Sequence, residues 1–180
     1  MSMYQKILKF WFEELDPKQW WVKDDQLDEI IRIRFSEIHE QAKRCELFEW
    51  RATAEGRLAE ILVLDQFSRN LHRDSPLCFA NDALALALAQ EAVSIGADMA
   101  LTAVQRNVLY LPFMHSESLI IHKVAMHLYQ SNGIQSSFDF EIKHQQIIRK
   151  FGRYPHRNKV LGRQSTEQEI DFLQQPGSGF

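Results

Sequence analysis

The sequence predicts an all-α protein, and three observations support this fold class. Apolar residues recur at three- and four-residue spacing along almost the whole chain, which is typical of amphipathic helices. No run of convincing length alternates apolar and polar residues as a half-buried strand does. The 180 residues include only 7 glycines and 5 prolines, few for the many turns of an all-β fold. We therefore expect about eight helices.

Proline and charge bound the first two helices. An apolar stripe over residues 7–15 predicts the first helix, which ends before Pro17 because proline disfavours helical geometry in the preceding residue. The second helix covers about residues 25–45. It begins with acidic residues and ends with basic ones, the order that complements the helix dipole.

The next two helices have recognisable ends. Thr53 is predicted to cap a third helix that runs through about Asn70. A fourth helix, rich in alanine and leucine, covers about residues 79–95, and Gly96 supplies its C-terminal stop.

Four further helices complete the pattern. Thr102 is predicted to cap the fifth, which Pro112 breaks or kinks. The sixth covers residues 116–132 and the seventh about 138–151. A capping box at Thr166 opens a last short helix.

Two of these helices form a weak repeat. Ala83–Gly96 and Ile120–Gly133 are Ala-containing amphipathic segments of equal length that end in glycine and lie 37 residues apart. A period of about 34 to 40 residues is typical of tetratricopeptide-like stacking, although other antiparallel bundles give the same spacing. We expect one domain of tetratricopeptide-like antiparallel hairpins over residues 1–180. Residues 175–180 form a tail that is either frayed or docked by Phe180.

Composition and motifs exclude several classes of function. The formal net charge is −3, there are only two cysteines, and no run of about 18 apolar residues would span a membrane. The start of the chain shows no signal-peptide pattern, so a cytoplasmic protein without a membrane association is expected. Phosphate-binding glycine loops and dinucleotide fingerprints are absent from the sequence.

We expect neither a metal nor a cofactor. His122 and His127 are five residues apart, so they point to different sides of a helix and cannot hold one metal ion together. A set drawn from distant residues, such as His115, Glu117 and His144, is the remaining metal-binding alternative. Nucleic acid is an improbable partner because the chain is acidic overall and lacks a reader motif.

The first polar motif is Leu64–Asn70. Asp65 and Arg69 are four residues apart and therefore share a helix face. They form either an ordinary surface ion pair or, since apolar residues flank them closely, a partly buried pair whose charges need partners.

The second polar motif is Tyr110–Glu117. Pro112 separates two helices, which would place His115 in the connection or in a first turn. A histidine at such a junction can be a general base, a ligand or a structural cap.

The third motif is a basic segment, residues 143–163, with seven Lys/Arg, two His and no Asp or Glu. It is either a solvated basic face or, because Phe151 and Tyr154 lie between the charges, part of a shaped pocket. The counter-charge to this segment would come from the acidic start of the second helix or from a bound anion. That acidic start consists of Asp24, Asp25, Asp28 and Glu29.

Together these motifs resemble the signature of a bacterial family of proteins of unknown function, the domain family numbered 924. The similarity is nearly full length, and its most specific part is Phe151–Asn158. This chain has Ser68 where family members often carry proline, and Tyr154 where phenylalanine is common. The resemblance implies a tetratricopeptide-like all-α fold, but it implies no activity. The other matching blocks are Phe10–Phe12 with Trp20, Leu64–Asn70, Phe113–Glu117, Leu161–Arg163 and Ser165–Thr166.

Three hypotheses follow for the polar motifs. The leading one is a pocket that binds a small anionic ligand, because arginines suit carboxylate or phosphate and histidine can move a proton near neutral pH. The second is a binding module that presents a helical groove to a peptide or protein. The third is an internal hydrogen-bond network that ties the last segment to the core. The proposed ligand contacts are Arg69, Asn70, Arg153, Arg157 and Asn158, and the catalytic candidates are His115, Glu117 and His156.

Overall fold

The computed structural model describes residues 1–179 and confirms the all-α class, since no strand occurs among those residues. Phe180, with its predicted docking, lies outside the described residues. The α-helices are α1 Met3–Lys9, α2 Asp25–Lys43, α3 Ala54–Leu62, α4 Ser68–Leu71, α5 Asp82–Ser94, α6 Ala103–Leu109, α7 Leu111–Met114, α8 Leu119–Asn132, α9 Gln135–Phe151 and α10 Glu167–Leu173.

Two helices contain a wider, π-helical turn. Helix α1 continues as a π-helix over Phe10–Glu14, and α3 is joined to α4 by a π-helix over Val63–Phe67. The predicted third helix is therefore continuous from α3 through α4, with a local irregularity in its middle. Such π-turns are rare and frequently lie at functional sites. The π-helix over Val63–Phe67, which directly precedes α4, contains Asp65.

The predicted caps are confirmed. The side chain of Thr53 accepts a hydrogen bond from the Gly56 N–H, and Thr102 and Thr166 both form capping boxes. Gly96 follows α5 with a φ of 71°, a left-handed conformation that glycine adopts without steric cost. These helix ends were predictable because each depends on a residue within one turn of the helix end.

Other helix boundaries differ between the prediction and the structure. The sixth predicted helix begins at Leu119 instead of 116, because the Ser116 hydroxyl accepts the Ser118 N–H and holds a turn there. The fourth begins at Asp82, after a 3₁₀ turn over Pro76–Cys78. The predicted break near Pro112 is confirmed, because α6 ends at Leu109 and Pro112 lies in the first turn of the short helix α7, where its missing N–H has no partner to lose.

Helix α3 lies at the centre of the packing. It contacts α1, α5 and α6, while α8 and α9 form an antiparallel hairpin that α7 joins to the rest. Aromatic rings fill the core beside α3: Phe35 stacks on Phe67 with ring centroids 5.3 Å apart, and Trp11 packs on the same ring at 6.0 Å. A smaller cluster of Ile147, Ile148 and Tyr154 lies under the C-terminal segment.

Among residues 1–179 no helix is both long and apolar enough to cross a membrane. The two cysteines are free: Cys45 is exposed and Cys78 is buried.

Candidate functional site

Arg69 on α4 contacts two carboxylates, those of Asp82 at the start of α5 and of Asp65 in the π-helical turn before α4. Its guanidinium donates two parallel hydrogen bonds to Asp82, of 2.8 and 2.9 Å, and Nη1 also contacts Asp65 Oδ1 at 3.4 Å. Asp65 is 1 % exposed. Two-pronged pairing of this kind is the strongest geometry available to arginine and a carboxylate. The Asp65–Arg69 pair is therefore not a surface pair but the start of a buried network.

His115 completes that network from the other side of Asp65. Its Nδ1 lies 2.8 Å from Asp65 Oδ1, and the other carboxylate oxygen accepts a hydrogen bond from Gln66 at 2.5 Å. Among residues 1–179 the second ring nitrogen of His115, Nε2, has no hydrogen-bond partner, and the side chain is 16 % exposed. His115 thus has one nitrogen held by a carboxylate and the other uncommitted.

Arg157 approaches the same place from the C-terminal segment. Its Nη2 donates to the His115 carbonyl at 3.0 Å, and its Nη1 lies 3.6 Å from Asp82 Oδ2. The guanidinium packs against two aromatic rings, 4.4 Å from the Phe79 centroid and 4.7 Å from that of Tyr154. Its buried Nε finds no acceptor among the described residues.

Burial and charge together set the proton affinities at this site. Burial alone would raise the pKa of Asp65, but the charges of Arg69 and His115 outweigh it and hold that pKa well below its ordinary value. Burial lowers the pKa of His115, and nearby Arg69 adds to the effect while Asp65 opposes it. Burial also lowers the pKa of Arg157, with Arg69 as the next cause. Asp65 is therefore ionised, and a large share of His115 is neutral at neutral pH.

A second network, here called the C-terminal clamp, consists of Glu117, Arg153, Asn158, Arg163 and Glu169. Arg163 donates two hydrogen bonds to Glu117, of 2.8 and 2.9 Å. Arg153 donates two to Glu169, of 2.7 and 2.8 Å. The Asn158 amide accepts from Arg163 and donates to Glu169. Glu117 also accepts the Tyr154 N–H at 2.7 Å. The clamp fastens the chain that carries Arg157 to α10 and to the start of α8.

Asn70 belongs to a third group of contacts. It donates to Asp28 on α2 at 2.8 Å, and Arg73 also pairs with Asp28. A shallow depression of about 290 Å³ lies over these side chains. Asn70 therefore faces α2 and not His115.

Three of the seven positive charges of the basic segment are paired within the chain. Arg163, Arg153 and Arg157 pair with Glu117, Glu169 and Asp82, which come from three different elements. The acidic start of α2, expected to supply the counter-charge, is not their partner: Asp28 pairs with Arg73 and Asp24 caps its own helix. This corrects the expectation. The sequence order of charges does not reveal which helices will be neighbours.

Beneath Arg157 lies a fully buried polar pair. His122 Nδ1 is 2.7 Å from Glu141 Oε1, and its Nε2 faces the Ser116 carbonyl at 2.8 Å. Because a carbonyl oxygen only accepts, Nε2 carries hydrogen, and one further proton lies between Nδ1 and Glu141. Burial raises the pKa of Glu141. The pair supports the Tyr154 ring, whose hydroxyl lies 3.1 Å from His122 Nε2.

The structure thus brings Arg69, His115 and Arg157 together and places the other predicted site residues elsewhere. Arg153, Asn158 and Glu117 are in the C-terminal clamp. His156 lies between these groups, with its ring centroid 5.6 Å from that of Tyr154. Burial, followed by the charge of Arg157, lowers the pKa of His156 to about 4.

Two residues of the site were not predicted from the sequence. Asp82 pairs with both central arginines, and the Phe79 ring covers them. An acidic residue at the start of a helix is commonplace, so Asp82 gave no signal of its own. Among residues 1–179 no group of three or more His, Cys, Asp or Glu has the geometry to hold a metal ion.

Comparison with known proteins places the chain in a family. The model for a family described as bacterial protein of unknown function (DUF924) matches residues 7–177. A solved structure of a protein of unknown function from Agrobacterium tumefaciens is similar with a TM-score of 0.91 and 37% sequence identity, over 96% of this chain and 97% of that chain. No curated protein matches the chain. The protein therefore belongs to the bacterial DUF924 family.

Proposed function

We propose that this protein is an enzyme in which His115, held in position by Asp65, transfers a proton to or from a small anionic substrate. The observation that carries the proposal is the 2.8 Å contact between Asp65 Oδ1 and His115 Nδ1, together with an Nε2 that has no hydrogen-bond partner among residues 1–179. A buried carboxylate that holds one nitrogen of an imidazole is a recurrent arrangement for general acid–base catalysis.

The contact with Asp65 determines which ring nitrogen of His115 can accept a proton. An ionised carboxylate accepts hydrogen bonds, so Nδ1 carries hydrogen in the neutral ring and the lone pair lies on Nε2. The lowered pKa of His115, which burial causes first, increases the share of the neutral ring at physiological pH. Nε2 is then ready to accept a proton from a substrate or from a water molecule.

Arg157 is the proposed anchor for the anionic group. The residue is only 7 % exposed, and its guanidinium contacts the backbone of His115 and has a buried Nε–H without an acceptor among the described residues. Arg69 is already held by two carboxylates and serves to position Asp65. The C-terminal clamp fixes the segment that carries Arg157. Glu117, Arg153 and Asn158 would then support the site without touching the substrate.

The test is a search for conversion that depends on His115. The protein would be incubated in D₂O and in H₂¹⁸O with a mixture of small carboxylates and phosphate esters, and mass spectrometry would detect any incorporated label. We expect His115→Gln to lower the rate of conversion at least about 100-fold, the lower end of what general acid–base catalysis contributes. The matched control is His127→Gln, because His127 is exposed on α8. Conversion at equal rates in the wild type and His115→Gln would refute the proposal.

The finer description of the fold is also a proposal. We infer that the helices stack as tetratricopeptide-like hairpins in a cytoplasmic protein. The antiparallel pair α8–α9 supports this, as do the two repeat-like helices α5 and α8, each followed by a left-handed glycine. The peptide-binding hypothesis takes second place. It would use exposed apolar side chains such as Ile120 on α8, which is 73 % exposed.

A further inference from the structure

The charges around His115 balance without any ligand. Two guanidinium groups, of Arg69 and Arg157, face two carboxylates, of Asp65 and Asp82. Two other histidines come from the remaining packed elements, His144 from α9 and His156 from the C-terminal segment, and burial lowers the pKa of both, to about 3 and about 4. These neighbours are therefore neutral near pH 7, so the site has no excess positive charge that would compensate the charge of a bound anion.

The shape of the site restricts how an anion can approach Arg157. The rings of Phe79 and Tyr154 pack against the guanidinium, with centroids 4.4 and 4.7 Å from its central carbon. A guanidinium donates hydrogen bonds only along its edges, and there the Nε–H has no acceptor among the described residues. A planar anion with two oxygens matches a guanidinium edge through two parallel hydrogen bonds.

An anion that enters a neutral, buried cluster leaves uncompensated negative charge, which is costly in a medium of low dielectric constant. A dianion such as hydrogen phosphate would leave two such charges beside Asp65 and Asp82, whereas a carboxylate leaves one. A proton on His115 would cancel that single charge, since Nε2 is uncommitted.

From this balance we propose that the site binds a small monocarboxylate together with one proton, which His115 Nε2 accepts from solvent. The bound carboxylate and the added proton together have the atoms and the charge of the neutral carboxylic acid, so the cluster remains neutral overall. This choice of ligand rests on the function proposed above. It also implies that His115 is charged, and able to act as an acid, once the ligand is bound.

The experiment is an NMR titration of the His115 imidazole with sodium acetate, at several pH values and at constant ionic strength maintained with chloride. We expect acetate to raise the measured pKa of His115. Between the pKa of the free and of the bound protein, the Kd for acetate should rise about tenfold for each pH unit, because one proton is taken up with each acetate. Inorganic phosphate should bind more weakly than acetate at pH 8, where phosphate is mostly the dianion.

Two variants locate the effect. Arg157→Gln should abolish acetate binding, whereas Arg149→Gln, which alters an exposed arginine of the same basic segment, should leave it unchanged. His115→Gln should remove the pH dependence of the Kd. The wild-type titration decides the question even if Arg157→Gln does not fold.

The outcomes separate this inference from the proposed enzyme. Acetate binding with the same Kd from pH 5.5 to 8, or phosphate binding tighter than acetate at pH 8, would overturn the monocarboxylate-and-proton proposal while the catalytic role of His115 stands. Turnover that depends on His115, with a substrate that has no carboxylate, would do the same. The enzyme proposal is refuted by a separate result, namely that the wild type and His115→Gln show no difference in the rate of conversion.

Discussion

Replacing Arg69 with alanine should lower the free energy of unfolding by about 3–5 kcal/mol, the range for breaking a buried ion pair by removing one partner. The reason is that Asp65, which is 1 % exposed, would lose its guanidinium partner, while Asp82 would lose its two short hydrogen bonds from Arg69 and keep only the 3.6 Å contact with Arg157. For a chain of this length the melting temperature should fall by roughly 10 °C. Thermal or denaturant unfolding followed by circular dichroism measures the change.

The matched control is Arg32→Ala on α2. Arg32 pairs with Glu29, and both side chains are more than half exposed, at 55% and 59%. An exposed pair of this kind contributes only about 0–1 kcal/mol. Equal, small losses in the two variants would mean that the Asp65–Arg69–Asp82 network does not stabilise the fold.

The second large effect is a loss of stability in mild acid. Burial lowers the pKa of His39 to about 4, that of His144 to about 3 and that of His156 to about 4. Unfolded histidine has a pKa of about 6.5. Between these values the unfolded chain binds protons that the folded chain does not bind. Stability is therefore full above about pH 6.5 and is lost as the pH falls towards 4.

Each of the three histidines contributes up to about 1.4 kcal/mol per pH unit in this window, or about 4 kcal/mol per pH unit together. Glu141 opposes them, because burial raises its pKa and its folded form gains a proton first. Urea unfolding at half-unit steps from pH 7.5 to 4.5 measures the slope. His39→Gln should reduce the slope by about one proton, whereas His127→Gln, at an exposed position, should not change it. A stability that stays level from pH 7 to 5 would contradict the prediction.

The helices were predictable because their signals are local. Threonine at 53, 102 and 166 accepts a hydrogen bond from the N–H three residues further on, and Gly96 turns the chain through its left-handed backbone conformation. Such effects operate within one turn of helix and need no information about distant partners. The bounds that moved, at Ser116 and at residues 79–82, lie where a hydroxyl or a proline favours a short turn over another turn of α-helix.

The candidate site was predicted only in part. The shared face of Asp65 and Arg69 followed from their spacing, and Arg157 stood out in a segment rich in positive charge. Asn70 and Arg153 looked equivalent to them in the sequence, yet each is held by a carboxylate in another network. Residue type identified groups that can bind an anion but not the partners that already occupy them.

The sequence by itself determined the helical class, the helix caps and the presence of three polar motifs, because these depend on periodicity and on hydrogen bonds between near neighbours. Only the tertiary structure decided which charges meet. Asp82 is 13 residues from Arg69 and Glu117 is 46 from Arg163, and each pair forms because helix packing brings its two elements together. Buried charges require partners, but many assignments of partners satisfy that requirement, and the packing of α3, α5 and the C-terminal segment selects one of them.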